Sequence, residues 1–284
     1  MSRSNSKIEY TSAPLKQTMI RTTLAMLPAT LAMSGYNITD TFFVGRLGQT
    51  EPLAAMGYTF PVIMFYSSIF FGLGSGSTAN LSHALGRKDS VQAQTFVGSS
   101  IILISLTAII MSTLGILYGS KIYMRLGAQG ETLKQVHAYM DIWFTGSIAA
   151  VLAREGGKIL IASGTPKLSS TMTVIGMLIN VALDPIFIFG WGFIPGMGIK
   201  GAAIATVISQ VIVTVVILIT LKRQELLALS ILTPARVWRS WGAIIPYAIP
   251  ATLGMLLVPI ANSIITKITA EFGDVAVAGA SAAS

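Results

Sequence analysis

Two carboxylates and an amide lie inside strongly apolar stretches of the sequence. Asp40 falls within residues 28–57, and Asn180 and Asp184 precede Pro185 in a second apolar stretch. A carboxylate within a membrane helix is costly, so it usually faces a partner helix or a cavity and takes part in function. Asn180 and Asp184 are four positions apart, which places both on one face of a helix. These residues therefore predict a polar site inside a membrane.

The three side chains are expected to converge on one water-accessible cavity in the outer half of the membrane. Counting about 1.5 Å per helical residue from the preceding basic residues, Lys16 and Lys167, places both carboxylates in that half. Two carboxylates close together in a low dielectric cannot both be ionised cheaply, so one should hold a proton near neutral pH. The pair is then a proton acceptor that loads from the acidic side. The alternative for Asp40 and for Asp184 is an ordinary residue near the end of a membrane span.

Three neighbouring residues are expected to support this site. Tyr36 lies one turn before Asp40 and is expected to form a hydrogen bond with it. Pro28 predicts a bend in the same helix, which is either a static kink or a moving part. Pro185 removes a backbone donor and disfavours helical geometry at Asp184, so the second helix should kink there.

Other charged residues indicate structure more than chemistry. Arg154, Glu155 and Lys158 lie near the inner end of an apolar run. We interpret them as a structural ion-pair cluster or as interfacial charges, with a role in transport as the alternative. His83 and His137 lie near opposite ends of their runs, and nothing resembles a set of metal ligands. No nucleophile or cofactor motif stands out, so the sequence does not predict an enzyme.

The composition is that of a protein that crosses a membrane several times. Hydrophobic residues make up 53% and charged residues 11% of the 284 residues, whereas a soluble domain has about 25% charged residues. The net charge of +8 comes from basic residues between apolar runs, so it indicates topology rather than nucleic-acid binding. The absence of cysteine excludes disulfides and cysteine metal sites.

Seven apolar runs are long enough to cross a bilayer, and an eighth begins near Val275. The runs are residues 18–44, 53–77, 95–118, 139–162, 170–189, 202–221 and 244–266. Most lysine and arginine residues fall on the inner side if the N-terminus is cytoplasmic, which predicts that orientation in the cytoplasmic membrane. A longer outer loop is expected at residues 121–135.

An internal repeat divides the chain. Residues 250–255 repeat residues 28–33 at an offset of 222 positions. Paired halves of such length are typical of secondary transporters. We therefore predict four parts, of which the last begins a second lobe that the chain does not complete. They are a cytoplasmic tail (1–17), a six-helix lobe (18–221), a cytoplasmic amphipathic linker helix (222–242) and the start of the second lobe (243–284). The alternative for the linker is a solvated loop.

Several dispersed motifs resemble those of the multidrug and toxic compound extrusion (MATE) family. They are DTFFVGRLG at residues 40–48, the small residues before Gly86 and Arg87, NVALDPIFIFG at residues 180–190 and GIKGAAIAT at residues 198–206. They occur in the family's order and together cover essentially the whole chain. The amide and carboxylate of the third motif are most similar to the DinF-like prokaryotic branch.

The resemblance implies an all-α integral membrane fold. It would be the six-helix N-terminal lobe of a two-lobed, twelve-span transporter, with one to two helices of the incomplete second lobe. Family members exchange cationic drugs for protons or sodium. The resemblance assigns Asp40, Asn180 and Asp184 to the coupling ion and links the bend at Pro28 to protonation, and Thr206 is a supporting residue.

Alternatives to drug export remain open at this point. One is a flippase of the same superfamily that exports lipid-linked or polysaccharide substrates, although such proteins tend to carry cationic cavity residues. Another is a non-transporting truncated fragment. For the favoured interpretation the expected partners are a cationic or amphipathic small molecule, the lipid bilayer and the missing C-terminal lobe. No cofactor and no nucleic acid is expected, and the coupling ion is H⁺ or Na⁺.

Overall fold

The computed structural model describes residues 14–283 as a bundle of long α-helices, apart from the side chains of residues 37 and 283. The helices are α1 (Leu15–Gly45), α2 (Thr50–Gly86), α3 (Ser90–Leu126), α4 (Gly130–Ala162), α5 (Pro166–Phe189), α6 (Ile199–Arg223), α7 (Pro234–Ala270) and α8 (Asp274–Ala283). Two antiparallel strands, β1 (Gly190–Trp191) and β2 (Ile194–Pro195), join α5 to α6. Most of the predicted N-terminal tail, residues 1–13, lies outside the described residues.

Six helices, α2 to α7, are long and apolar enough to cross a membrane. Each predicted run from 53–77 to 244–266 lies inside one of them, so the all-α membrane fold is confirmed. The first predicted run, 18–44, also forms a single helix of 31 residues. However, α1 is not among the six helices above, and it carries polar residues such as Asp40 and Tyr36. It packs mainly along α5, which positions its polar residues against the bundle.

The prediction of a long outer loop at residues 121–135 is wrong. Helix α3 continues to Leu126, and α4 begins at Gly130. Gly127 ends α3 in the left-handed region with a φ of 110°, a conformation that glycine adopts without steric cost. The turn between the two helices is therefore only three residues long.

The prediction of an amphipathic linker helix at residues 222–242 is also wrong. Helix α6 ends at Arg223, a 3₁₀ turn covers Leu229–Ile231, and α7 begins at Pro234. Thr233 caps α7, since its hydroxyl accepts a hydrogen bond from a backbone N–H of the first turn. The apolar residues Leu226 and Leu227 pack against the buried core instead of facing a membrane surface. Their hydrophobicity therefore closes the end of the bundle where α6 connects to α7.

Helix α2 occupies the centre of the bundle. It packs against α3, α4, α7 and α8. Ser68 of α2 donates a hydrogen bond to the carbonyl of Met255 at 3.3 Å, and Pro259 cannot supply the helical N–H for that carbonyl. Asn80 donates to the carbonyl of Ala243 at 3.0 Å. Polar side chains of α2 thus stabilise a helix contact that apolar packing brings together.

A hydroxyl network also joins α2, α3 and α4, and it predicts a measurable effect of removing one oxygen. Tyr66 donates to Ser147 at 2.8 Å, and the Ser112 and Ser147 hydroxyls lie 2.7 Å apart. Tyr66→Phe keeps the buried ring and removes the donor, so we expect a loss of about 1 kcal/mol of stability. The thermal unfolding of purified protein in detergent measures it. The control is Tyr118→Phe, whose ring is exposed; equal losses in both variants would contradict a role for the network.

Candidate functional site

Helices α1, α5 and α6 bring the predicted polar residues together. Asp40 comes from α1, Asn180 and Asp184 come from α5, and Thr206 comes from α6. Asn180 and Asp184 are completely buried, and Asp40 is 5% exposed. The two carboxyl groups lie close enough to interact directly. The structure thus places in one cluster residues that are up to 166 positions apart in the sequence.

Hydrogen bonds satisfy part of this cluster. The Asn180 side-chain amide donates to Asp184 Oδ1 at 3.2 Å. The Thr206 hydroxyl donates to Asp40 Oδ2 at 3.4 Å. Each carboxyl group therefore has one oxygen with a protein donor, and both donors are neutral.

Three oxygens of the cluster are left over. Among the side chains that the structure describes, Asp40 Oδ1, Asn180 Oδ1 and Asp184 Oδ2 are buried without a hydrogen-bond partner. Oxygens of two carboxylates and an amide are all acceptors, so they cannot satisfy one another unless a proton or a cation lies between them. Such oxygens are also the ligands that hard cations prefer. The arrangement is therefore chemically suited to take up a proton or a small cation.

The predicted hydrogen bond from Tyr36 to Asp40 is wrong. The Tyr36 hydroxyl instead lies 3.0 Å from the hydroxyl of Ser209 in α6. The reason is tertiary, because α6 brings the Ser209 hydroxyl within hydrogen-bond distance of the Tyr36 hydroxyl. Two hydrogen bonds therefore join α1 to α6. One links Tyr36 with Ser209, and the other links Thr206 with Asp40.

Ser209 is a residue of this region that the sequence analysis missed. It is fully buried, and its hydroxyl also donates to the backbone carbonyl of Thr206 at 2.8 Å. The available signal was the spacing of Thr206 and Ser209, which are three positions apart in a mostly apolar helix and so share one face.

Both prolines of the candidate site lie inside continuous helices. Pro28 is within α1, and Pro185 is within α5, which runs on to Phe189. Asp184 therefore keeps helical geometry, contrary to the expectation from its neighbouring proline. Pro185 still removes the N–H that would bond to the carbonyl of Val181, so α5 carries a free backbone acceptor one turn before Pro185.

The cluster is closed rather than part of the expected water-accessible chamber. Its carboxylates and amide are buried because α1 packs along α5 and contacts α6. A cleft of about 660 Å³ lies between α4 and α6, and its lining includes Asp141, Gly146 and Val207 but none of the cluster residues. Water or an ion would reach the carboxylates only after a movement of these helices.

The described residues form six membrane-length apolar helices and an interior carboxylate cluster, which together are typical of a multi-pass membrane protein with a functional site inside the bundle. Residues 26–186 match the MatE family. A FAD transporter of Shewanella oneidensis is 32% identical over 268 residues, which cover 94% of this chain and 59% of that protein. A multidrug export protein MepA of Staphylococcus aureus is 26% identical over 272 residues, with 95% and 59% coverage. The chain belongs to the MATE family, and it spans about three fifths of the length of these curated relatives.

Solved structures of this family share the fold. An inward-facing MATE transporter has a TM-score of 0.80 at 27% identity and covers 91% of this chain and 60% of its own. An outward-facing one has a TM-score of 0.81 at 26% identity, with 92% and 57% coverage. A mutant of the Vibrio cholerae MATE transporter VcmN gives 0.80 at 28% identity, with 92% and 58% coverage. Similar scores for the inward- and outward-facing proteins mean that this part of the fold is common to both states.

Proposed function

We propose that the protein is a secondary antiporter that exports a cationic or amphipathic small molecule in exchange for H⁺ or Na⁺. Asp40, Asn180 and Asp184 bind the coupling ion, and Thr206 supports Asp40. The observation that carries this proposal is the buried pair of interacting carboxyl groups, each with one oxygen that no protein donor satisfies. The name of the MepA relatives, multidrug export proteins, supports the substrate class.

Binding of the ion changes the charge of a site that water does not screen. One proton or sodium ion neutralises one of the two carboxylates and removes their repulsion, which alters the contacts of α1 with α5 and α6. Pro28 leaves α1 without one helical hydrogen bond, so α1 bends there more easily than elsewhere. One charge that moves across a potential of 100 mV contributes about 2.3 kcal/mol, which is enough to shift a conformational equilibrium about 40-fold.

The arrangement in lobes is part of the proposal. Helices α1 to α6 form one lobe, and α7 and α8 begin a second lobe of the same design. The support is the repeat, because its offset of 222 positions brings the start of α2 within two residues of the start of α8. The connecting residues 224–233 and the N-terminus lie on the cytoplasmic side. The assignment to the DinF-like branch also stays a prediction.

A second candidate function is the export of flavin nucleotides. The relative that shares 32% identity with this chain is named a FAD transporter. FAD carries a negatively charged diphosphate, so its export would require cationic rather than acidic groups along the substrate path. The two candidates therefore differ in the sign of the charge that the substrate site must recognise.

Transport by the full-length protein in proteoliposomes tests the proposal. We expect an imposed gradient of H⁺ or of Na⁺ to drive ethidium across the membrane in the opposite direction, because the gradient loads the carboxylate cluster from one side. Ethidium fluorescence measures the movement, and FAD offered in its place tests the second candidate. Ethidium movement that ignores both ion gradients would refute the antiport, and movement of FAD alone would support the second candidate.

A further inference from the structure

A third buried carboxylate lies in α4, away from the cluster of Asp40, Asn180 and Asp184. Glu155 is 2% exposed, and its Oε1 accepts a hydrogen bond from Lys158 Nζ at 2.9 Å. The same ammonium group lies over the ring of Phe71 in α2, 4.8 Å from the ring centroid. A carboxylate, an ammonium group and an aromatic face therefore meet between α2 and α4. From the sequence we interpret Glu155 and Lys158, with Arg154, as a structural ion-pair cluster or as interfacial charges, with a role in transport as the alternative.

Helix α2 is shaped to receive this carboxylate. A Cβ atom at Gly74 would collide with Glu155 Oε2, so any residue other than glycine would push the carboxylate out. Among the described side chains, Oε2 is one of the buried oxygens without a hydrogen-bond partner. Burial of an ion pair contributes little to stability compared with apolar packing, and a charge at membrane depth usually marks function. The glycine therefore indicates that the charge has a role.

The face of α2 beside Glu155 is accessible and carries polar side chains. Phe71 is 40% exposed, and Ser67, Ser75 and Thr78 on the same face of α2 are partly exposed. The exposed side chains of α3, in contrast, are mostly aliphatic, as expected for contact with lipid. The serine and threonine side chains beside Phe71 therefore distinguish this face of α2 from a surface that contacts only lipid.

We propose that Glu155 and Phe71 form a binding site for an organic cation in the inner half of the membrane, and that Lys158 occupies it when no ligand is bound. A carboxylate beside an aromatic face is the usual way in which proteins recognise such cations. This inference rests on the proposed export of cationic substrates and names the site where they enter from the cytoplasm.

Lys158 can leave the site without becoming a buried unpaired charge. It lies four residues before the end of α4 at Ala162, and its side chain is 25% exposed. A lysine side chain is long and flexible, so its ammonium group can reach the inner membrane surface while a ligand takes its place. Arg154, which also interacts with Glu155, remains as a second positive charge nearby.

Equilibrium binding of ethidium to the purified full-length protein in nanodiscs, measured by fluorescence anisotropy, tests the site. Glu155→Gln should weaken binding about tenfold, because the ligand loses its counter-charge. Phe71→Leu should weaken it about threefold through loss of the aromatic face. Lys158→Met should instead tighten binding about threefold, because it removes the group that competes with ethidium.

The opposite effects at Glu155 and Lys158 separate this proposal from a purely structural pair. A structural pair would make both single variants unstable and would weaken binding in both, and that outcome overturns the proposal, as does wild-type binding by Glu155→Gln. The double variant Glu155→Gln/Lys158→Met leaves no unpaired buried charge and should fold, yet bind as weakly as Glu155→Gln. The assay uses no ion gradient, so failure of the proposed antiport would leave these binding results unchanged. FAD that binds less well to Lys158→Met would also overturn a cation site.

Discussion

Asp184→Asn should reduce ion-driven export to the background of cells that lack the protein. Asparagine has nearly the same shape as aspartate, so α5 keeps its packing while the site loses an ionisable group. Asp184 is completely buried and accepts a hydrogen bond from Asn180 at 3.2 Å. The remaining carboxylate of Asp40 no longer repels a second carboxylate. Binding of an ion then relieves no repulsion, so it no longer drives export. Ethidium efflux from energised cells measures the effect.

The matched control is Asp141→Asn. Asp141 lies in α4, about half exposed, and its ionic partner is His137 at 3.6 Å. It is outside the ion cluster, so we expect export within about twofold of the wild type, as for most exposed substitutions. Asp184→Asn also removes a buried charge, so its unfolding temperature should not fall. Undiminished export by Asp184→Asn, with protein levels equal to the wild type, would refute the assignment.

Gly72→Val should strongly destabilise the contact between α2 and α7. A Cβ atom at Gly72 would lie 2.6 Å from the carbonyl oxygen of Ala248 and 2.9 Å from the backbone nitrogen of Thr252. Backbone atoms cannot rotate away from the new side chain, so the helices must separate. We expect a loss of about 3 kcal/mol, at the upper end of overpacking effects. Thermal unfolding of the purified protein measures the loss.

Gly254→Val is the control for this substitution. Gly254 lies within α7, and no atom beyond its own helix would come within 4 Å of an added Cβ. Replacing a glycine inside a helix should leave stability unchanged or raise it slightly, because glycine is a poor helix former. A similar loss in both variants would mean that the close approach at Gly72 is not what holds the two helices together.

Much of the fold follows from the apolar runs. In a bilayer, a run of about 20 apolar residues can form all its backbone hydrogen bonds within itself only as a helix. The positions of the apolar runs along the sequence therefore predict the number and order of these helices. The cluster of Asp40, Asn180 and Asp184 could also be anticipated. Burying these polar side chains in an apolar helix costs free energy, so they must find partners. Their distances from the preceding basic residues also predicted that both carboxylates lie in the same half of the membrane.

Other features depend on contacts that only the tertiary structure supplies. The partner of Tyr36 depends on where α6 passes α1, and the closed state of the cluster depends on how α1 packs along α5. The length of the turn after α3 depends on the left-handed conformation of Gly127, which the sequence allowed but did not require. Likewise, the sequence does not show that Glu155 packs against Gly74, because this contact depends on how α4 packs against α2.

Proton uptake by the purified full-length protein tests the central claim most directly. The claim is that Asp40 and Asp184 together form one buried site for a proton or sodium ion. On acidification without sodium, the wild type should take up about one proton per chain more than the double variant Asp40→Asn/Asp184→Asn. Added sodium should reduce that difference if both ions use the site. Equal uptake by the two proteins, with or without sodium, would contradict the account.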